Sequence, residues 1–508
     1  MKKRSLIAIF TPLVILSASC DRNKAVRPNI IYILADDLGY GETGVYGQQI
    51  IKTPNIDALA ADGILFTNHY SGSAVSAPSR CVLLTGYHTG HAQVRGNDEW
   101  SERGPVWDYK AMIADSTLEG QRPLAPGTVT ISSLLQNSGY TTAMFGKWGL
   151  GAPHTESIPT RLGFDYFVGY NCQRIAHTYY PVHLYKNENR YYLDNDTIAP
   201  NTRLPANSDP YNTESFSSYT LSEYAPDVMF REMTGFIETN SKTPFFIYWA
   251  TPIPHVPLQA PVEWVDKYVA IMGDEEPYLG EKGYFPHRNP HAAYAAMVSY
   301  LDFQIGQLIS LLKEKGLYEN TLIIFTSDNG PSYAGGTDSP WFNSGAPFRN
   351  EQGYIKGSLN EGGIRVPMIA SWPGKIRPGS VSDHISSFQD VLPTLCEVAG
   401  IAPPSGKDGI SFLPELRGKK QNEHEYLYWE FPESGGQQAV RIGNNKAIRK
   451  NMHKGNLAFE LYDISIDPRE TNDIAEEFPD IIAKALVICA EEHVPSENPL
   501  WRFSTLNE

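Results

Sequence analysis

Asn29-Ile30-Ile31-Tyr32-Ile33-Leu34-Ala35-Asp36-Asp37 decides the fold. An unbroken apolar run ends abruptly in two carboxylates. The pattern recurs three times. Tyr140-Thr141-Thr142-Ala143-Met144-Phe145 ends in Gly146-Lys147, and Phe245-Phe246-Ile247-Tyr248-Trp249-Ala250 leads to Pro254-His255. Thr321-Leu322-Ile323-Ile324-Phe325-Thr326 leads to Asp328-Asn329. Runs with little alternation predict strands buried on both faces, as in a mostly parallel sheet between helices. In such sheets ligands gather beyond the carboxyl ends of the strands, which is where the polar residues fall.

Between the runs lie helical patterns at 54–62, 128–138 and 293–315. In the last, Met297, Leu301, Ile305 and Leu308 fall on one side, and Asp302 reads as a cap or salt-bridge partner. A Pro/Gly/Ser connector spans 403–406. After Lys420 the character changes, with short strands expected at 426–431, 439–449 and 459–462 and a closing helix at 479–492. The expected division is a targeting segment at 1–20, a catalytic domain at 27–418 and a C-terminal α+β subdomain at 419–508.

A chain of 508 residues can bury a large core. Its formal net charge of −15 argues against nucleic acid as a partner, since phosphate binding needs a basic face. A few local cations can still dominate one pocket. Met1-Lys2-Lys3-Arg4, an apolar stretch from Leu6 to Leu16 and the small residues Ser17-Ala18-Ser19 form a signal-peptide layout ending at Cys20. It resembles a bacterial lipoprotein signal with Cys20 as the lipidated first mature residue. An ordinary cleaved signal that contains a cysteine is the alternative. The expected location is therefore the periplasm, or the outer membrane as a lipoprotein, of a Gram-negative bacterium. Membrane attachment is expected only through a lipid on Cys20, with no later stretch read as long and apolar enough to cross a bilayer. Cys81, Cys172, Cys396 and Cys489 are widely spaced and show no metal pattern, and Cys81 and Cys396 read as buried thiols.

Ser76-Ala77-Pro78-Ser79-Arg80 runs directly into Cys81-Val82-Leu83-Leu84-Thr85-Gly86. A hydroxyl nucleophile with a cation one helical turn away suits attack on an anionic ester. The run resembles the signature of type I sulfatases, Cys/Ser-x-Pro-x-Arg followed by Leu-Thr-Gly. The resemblance extends from Pro28 to about Thr471, with the family's motifs in order. It implies an alkaline-phosphatase-like α/β fold with a small C-terminal antiparallel sheet and helix. It also implies that Ser76 is oxidised to formylglycine, whose hydrate attacks sulfur. The serine form implies a radical maturase as partner. Unmodified, Ser76 would suit attack on phosphorus.

Asp36, Asp37, Asp328 and Asn329 are expected at neighbouring strand ends. Three carboxylates packed together repel unless a cation sits among them. All-oxygen ligands suit a hard divalent ion, and Ca²⁺ tolerates crowded, irregular coordination better than Mg²⁺. In sulfatases the matching four positions bind one Ca²⁺, which the formylglycine at position 76 also contacts. Arg80, Lys147 (in Gly146-Lys147-Trp148-Gly149-Leu150-Gly151) and Lys356 (ahead of Glu361-Gly362-Gly363-Ile364-Arg365-Val366-Pro367) match positions that hold sulfate. Arg365 reads as tying down its own loop. His255, on a proline-stiffened loop after a strand, is the expected general acid for the leaving alcohol. The chain departs from the family at Gly149, where many sulfatases carry a histidine base. His91 and His154 are nearby candidates to replace it.

Specificity is expected from loops. The stretch Asn171 to Tyr180 mixes aromatic and hydrogen-bonding groups, as sugar pockets do. His177 is the leading candidate for a sugar hydroxyl contact, with Arg174, Arg95, Asn97 and Arg349 as further contacts. The expected function is exo-acting removal of O-sulfate from a galactose- or N-acetylgalactosamine-type sugar of a sulfated glycan. The alternatives are a phosphomonoesterase or phosphodiesterase using plain Ser76, and a non-catalytic glycan-binding lipoprotein.

Overall fold

The computed structural model describes residues 27–506. Cys20 and the targeting segment lie outside the described residues. The apolar run at 29 becomes strand β1 (Asn29–Ala35), every residue of which is buried. Its alternate side chains feed two different cores. Ile31 and Ile33 pack on one face with the helices Pro54–Ala61, Ala225–Thr239 and Pro290–Glu314. Ile30, Tyr32 and Leu34 pack on the other with the helices Ser76–Thr85, Ile131–Asn137 and Val391–Ala399. A strand covered on both sides has no polar face to alternate with, which is why its sequence is continuously apolar.

The other strands follow as β2 (Ile64–Phe66), β3 (His69–Tyr70), β4 (Thr141–Lys147), β5 (Tyr166–Tyr170), β6 (His183–Lys186), β7 (Asn189–Tyr192) and β8 (Phe245–Ala250). Then come β9 (Thr321–Ser327), β10 (Met368–Ser371), β11 (Ser380–Ser382) and β12 (Ser386–Ser387). Ten of them form one sheet in the order β11-β2-β10-β9-β1-β8-β4-β5-β6-β7. The centre is parallel: β1 pairs with β8 and β9, and β4 with β8 and β5. Antiparallel pairs, β10 with β9 and β5 with β6, flank it. The register sets Ala35 opposite Ser327, so Asp36 and Asp328 emerge side by side.

A second sheet is built from β13 (Leu427–Phe431), β14 (Gln437–Ile442), β15 (Asn445–Lys450) and β16 (Glu460–Asp463), all antiparallel, and the helix Pro479–Glu492 packs on it. The architecture is thus the α/β fold expected, with a small antiparallel sheet near the C-terminus. The stretch 439–449, expected as one strand, is a hairpin turning at Gly443-Asn444, with Gly443 at φ +57°. Gly-Asn is a two-residue hairpin signal.

Asp302 accepts the backbone N–H groups of Asn55 and Ile56 at 2.9 and 2.7 Å, capping the helix Pro54–Ala61 from across the core. The helix that carries it, Pro290–Glu314, corrects one expectation. By length and composition it could cross a membrane, yet it is mostly buried within the fold, with Met297, Leu301, Ile305 and Leu308 fully covered. The four cysteines of the described residues are free and buried.

Candidate active site

Ser76 opens a ten-residue helix whose every side chain is buried, ending at Gly86 in the left-handed region (φ +73°). Pro78 sits in the first turn, where its missing N–H has no intrahelical partner to lose. The apolar residues Val82, Leu83 and Leu84 anchor the helix on the sheet. Its N-terminus is thereby aimed at the carboxyl ends of β1 and β9, and the positive end of the helix dipole faces the site.

Ser76 Oγ donates to Asp36 at 2.9 Å, and Lys147 Nζ lies 3.4 Å from the same oxygen. Lys147 also bonds Asp36 at 2.6 Å. Arg80 is wholly buried; it donates twice to Asp328, at 3.1 and 2.8 Å, and once to the Lys147 carbonyl at 2.6 Å. Lys356 bonds Asp37 at 2.6 Å, and His255 Nε2 lies 3.6 Å from Asp37. Asn329 donates to Asp37 at 2.8 Å, and the Asp37 backbone N–H donates to Asp328 at 3.1 Å. Residues drawn from six separate stretches therefore meet in one buried cluster.

Its charges are strongly coupled. Burial pushes Asp328 up to about 6 and Asp37 upward as well, and the neighbouring Asp36 carboxylate adds to both shifts. Burial acts the same way on Asp36, but Lys147, His255, Arg80 and Lys356 outweigh it and hold its carboxyl below the ordinary range. Burial drives Lys147 downward, whereas Asp37 and Asp36 overcome burial at Lys356 and raise it. Burial and the Lys356 ammonium lower His255. His255 Nδ1 bonds the Val256 carbonyl at 2.6 Å, so Nε2 is the nitrogen that faces the cluster.

The donor set fits a hard divalent cation. Asp36, Asp37, Asp328 and Asn329 offer only oxygens. Asn329 Oδ1 is buried without a partner, an acceptor left open beside three crowded carboxylates.

The remaining expected contacts divide. His177 stacks on His255 with ring centres 5.6 Å apart. Asn97 Oδ1 accepts the N–H of Ala77, next to the nucleophile. Arg174 lies over the Trp107 ring at 4.8 Å and donates to the Trp107 carbonyl at 2.6 Å. Arg349 pairs with Glu351 and lies over the Tyr354 ring at 3.2 Å. Arg95 is corrected. It is 3% exposed, and its guanidinium is consumed by Glu430 and the carbonyls of Gly90, Ala92 and Val494. It joins the second sheet to the first instead of reaching a sugar. Arg95→Ala should cost about 1–3 kcal/mol of stability, since Glu430 loses one charged partner but keeps Tyr428 and His493 at 2.7 Å each, seen as a lowered Tm with KM unchanged.

Neither proposed replacement for the missing histidine is in the cluster. His91 Nδ1 bonds Asp408 at 3.0 Å and belongs to a group with His88 and Glu492 at the helix Pro479–Glu492. His154 Nε2 bonds Ser116 at 2.9 Å. Gly149 has φ +79°, and a Cβ there would lie 2.4 Å from Gln173 Nε2. Gln173 thus fills the space a longer residue would need. Its Nε2 and both side-chain polar atoms of Asn171 are buried without partners, which marks this end of β4 and β5 as a place for polar ligand groups. Tyr284 escaped the sequence reading. Its ring packs edge-on to His177 at 5.1 Å and His255 at 5.8 Å, and no motif surrounds it.

The strap carrying Lys356 is held by the second sheet. Gln437 accepts from the Leu359 N–H at 2.9 Å and donates to the Gly357 carbonyl at 2.9 Å. Glu361 accepts from Lys446 at 2.8 Å, Tyr70 at 2.7 Å and Arg365 at 3.1 Å. Arg365 also donates to the Thr67 carbonyl at 2.8 Å, tying its loop to the main sheet.

A buried hydroxyl at a helix N-terminus, three cations and an oxygen-rich pocket for a metal ion define a hydrolase of anionic esters on a mostly parallel α/β sheet. The family profile Sulfatase matches residues 28–401, and N-sulphoglucosamine sulphohydrolase, C-terminal, matches 351–486. The chain belongs to the sulfatase family and is a sulfuric ester hydrolase. It is 30% identical to N-acetylgalactosamine-6-sulfatase of Canis lupus familiaris, over 83% of this chain and 71% of that one. It is 27% identical to N-acetylgalactosamine-6-O-sulfatase of Bacteroides thetaiotaomicron, over 95% and 98%. The structure of Ps i-CgsB in complex with k-i-k-neocarrahexaose is similar with a TM-score of 0.73 and 26% identity, over 95% of this chain and 96% of that one.

Proposed function

We propose that the chain removes O-sulfate from a galactose- or N-acetylgalactosamine-type sugar at the end of a sulfated glycan. The observation that carries this is Ser76 at the N-terminus of its helix, beside Asp36 and Lys147 and facing His255 across the acidic cluster. The names of the relatives support the sugar. Oxidised to formylglycine by a maturase, residue 76 would present an aldehyde hydrate as nucleophile. Asp36, Asp37, Asp328 and Asn329, with residue 76, would hold one Ca²⁺, which would polarise the nucleophile and the ester oxygens.

The charge count explains the preference for an anion. Three carboxylates balance Arg80, Lys147 and Lys356, so a divalent ion would leave the pocket positive and free the two lysines for an anionic group. Lys147 and Lys356 then hold the sulfuryl oxygens. With Nδ1–H held by the Val256 carbonyl, Nε2 is bare in the neutral ring, so His255 acts as the acid only as the imidazolium, which the anionic ester and Asp37 beside it favour; Nε2–H then faces the departing sugar oxygen. His177, Tyr284 and Arg174 orient the sugar ring. In this reading residues 27–418 carry the chemistry and 419–508 brace the Lys356 strap. The first twenty residues direct export to the periplasm or, lipidated at Cys20, to the outer membrane.

The test is sulfate release from a panel of sulfated monosaccharides by protein co-produced with a serine-type maturase. Release from galactose- or N-acetylgalactosamine-type sulfates is expected; release from none of the panel, or phosphate esters hydrolysed instead, overturns the reading. His177→Ala should raise KM about tenfold, the loss of one well-placed hydrogen bond, with metal content unchanged. An unaltered substrate profile in that variant excludes the sugar role of His177.

A further inference from the structure

The strap that carries Lys356 is one wall of a cavity of about 240 Å³. Ser434 and Asn451 of the second sheet's connections and Lys450 at the end of β15 form the other wall, and Tyr333 and Gln352 also line it. A neighbouring cavity of about 370 Å³ shares Tyr333 and Gln352. The two differ in charge. The first is lined by Lys356 and Lys450 and by no carboxylate, whereas the second sets Glu276, Glu281 and Asp338 against Lys282 and His291. The lining of the first suits a glycan bearing further anionic groups better than the mixed lining of the second.

The first cavity also begins at the reaction centre, because the same Lys356 that lines it bonds Asp37. Tyr333 is 41% exposed and offers a ring face to the apolar side of a sugar. Ser434, Gln352 and Asn451 offer hydrogen bonds to hydroxyls. Lys450 Nζ pairs with Glu460 at 2.9 Å, and both side chains reach solvent. An exposed pair of this kind competes weakly with an incoming anion. A cleft between a loop of the main α/β unit and the second sheet is a common setting for a ligand.

We propose that this cleft is a second sugar subsite. It takes the residue next to the sulfated sugar and binds a carboxylate or sulfate on that neighbour through Lys450. The proposal rests on the reading of the chain as a sugar sulfatase. It makes the enzyme's substrate an anionic glycan of at least two sugars and a lone sulfated sugar a poor one.

The test uses matured, calcium-loaded enzyme and four probes: 6-O-sulfated N-acetylgalactosamine alone, and the same sugar linked to a neutral hexose, to a uronic acid, or to a second sulfated sugar. Both anionic disaccharides, or the one whose charge meets Lys450, should show kcat/KM about tenfold or more above the monosaccharide. Lys450→Met should raise KM for that disaccharide about five- to tenfold and leave kcat, Tm and the monosaccharide kinetics unchanged. Tyr333→Ala should weaken every disaccharide alike. Equal kcat/KM for all four probes, or a Lys450→Met variant with unchanged KM for the anionic disaccharides, overturns the subsite alone. Absence of sulfate release from every probe and from the whole panel of sulfated monosaccharides overturns the sugar-sulfatase reading and the subsite with it.

Discussion

Replacing Ser76 by alanine should abolish sulfate release, by on the order of 10⁴-fold or more, while leaving the fold intact. The magnitude follows from the position of the hydroxyl. Ser76 Oγ is bonded to Asp36 and lies beside Lys147 in a pocket closed to bulk water, and no other hydroxyl among the residues gathered there occupies the helix N-terminus. Without it the site binds the ester but has no atom to attack sulfur. The structural cost is small by comparison. Alanine forfeits one hydrogen bond to Asp36, about 1–3 kcal/mol, while Val82, Leu83 and Leu84 still anchor the helix. Steady-state sulfate release and thermal unfolding check both halves. Turnover at the parent rate would remove Ser76 as the source of the nucleophile.

Asp328→Asn should be nearly as damaging, for a different reason. Asp328 accepts two bonds from the buried Arg80 at Oδ2 and one from the Asp37 N–H at Oδ1; asparagine keeps an oxygen for Arg80, turns its NH2 toward the Asp37 N–H and deletes one negative charge. The loss falls on the cation site, whose affinity depends on how many charged oxygens it offers. Turnover should fall on the order of 100-fold or more. A readout independent of activity comes from unfolding. Calcium at a hundred times its Kd should stabilise the parent by about 2.7 kcal/mol, and the variant should show no such shift at the same concentration. Equal calcium-dependent stabilisation in the two proteins would reject the assignment of Asp328 as a ligand. Asp328→Ala is the blunter variant. It strands the Arg80 charge in the interior as well, at about 3–5 kcal/mol.

The centre of the fold was legible because its strands are covered on both faces. Burial forces β1, β4, β8 and β9 to be apolar throughout, and the register forces their polar successors onto one edge. The sequence alone therefore places Asp36, Lys147, His255 and Asp328 at one edge. The periphery could not. Strands β2, β10 and β11 are three or four residues long and carry too few residues to show a period. The hairpin at Gly443 carries its own signal, Gly443-Asn444 between Ile442 and Asn445, and the shortness of its two arms is what merges them into one expected strand. Arg95, on the loop Arg95-Gly96-Asn97, was expected to reach a sugar, but its charge is answered by Glu430, 335 positions away. Gln173 and Gly149 carried half a signal: the missing side chain was visible, and the amide that fills its place was not. Tyr284 gave none, because its neighbours His177 and His255 reach it only through the tertiary fold.

The mass of the peptide containing Ser76, measured on enzyme that releases sulfate, tests the account most directly. The account requires that peptide to be lighter by two hydrogens than its sequence dictates, with activity rising in proportion to the modified fraction. Full activity from protein whose Ser76 peptide has an unaltered mass would contradict it.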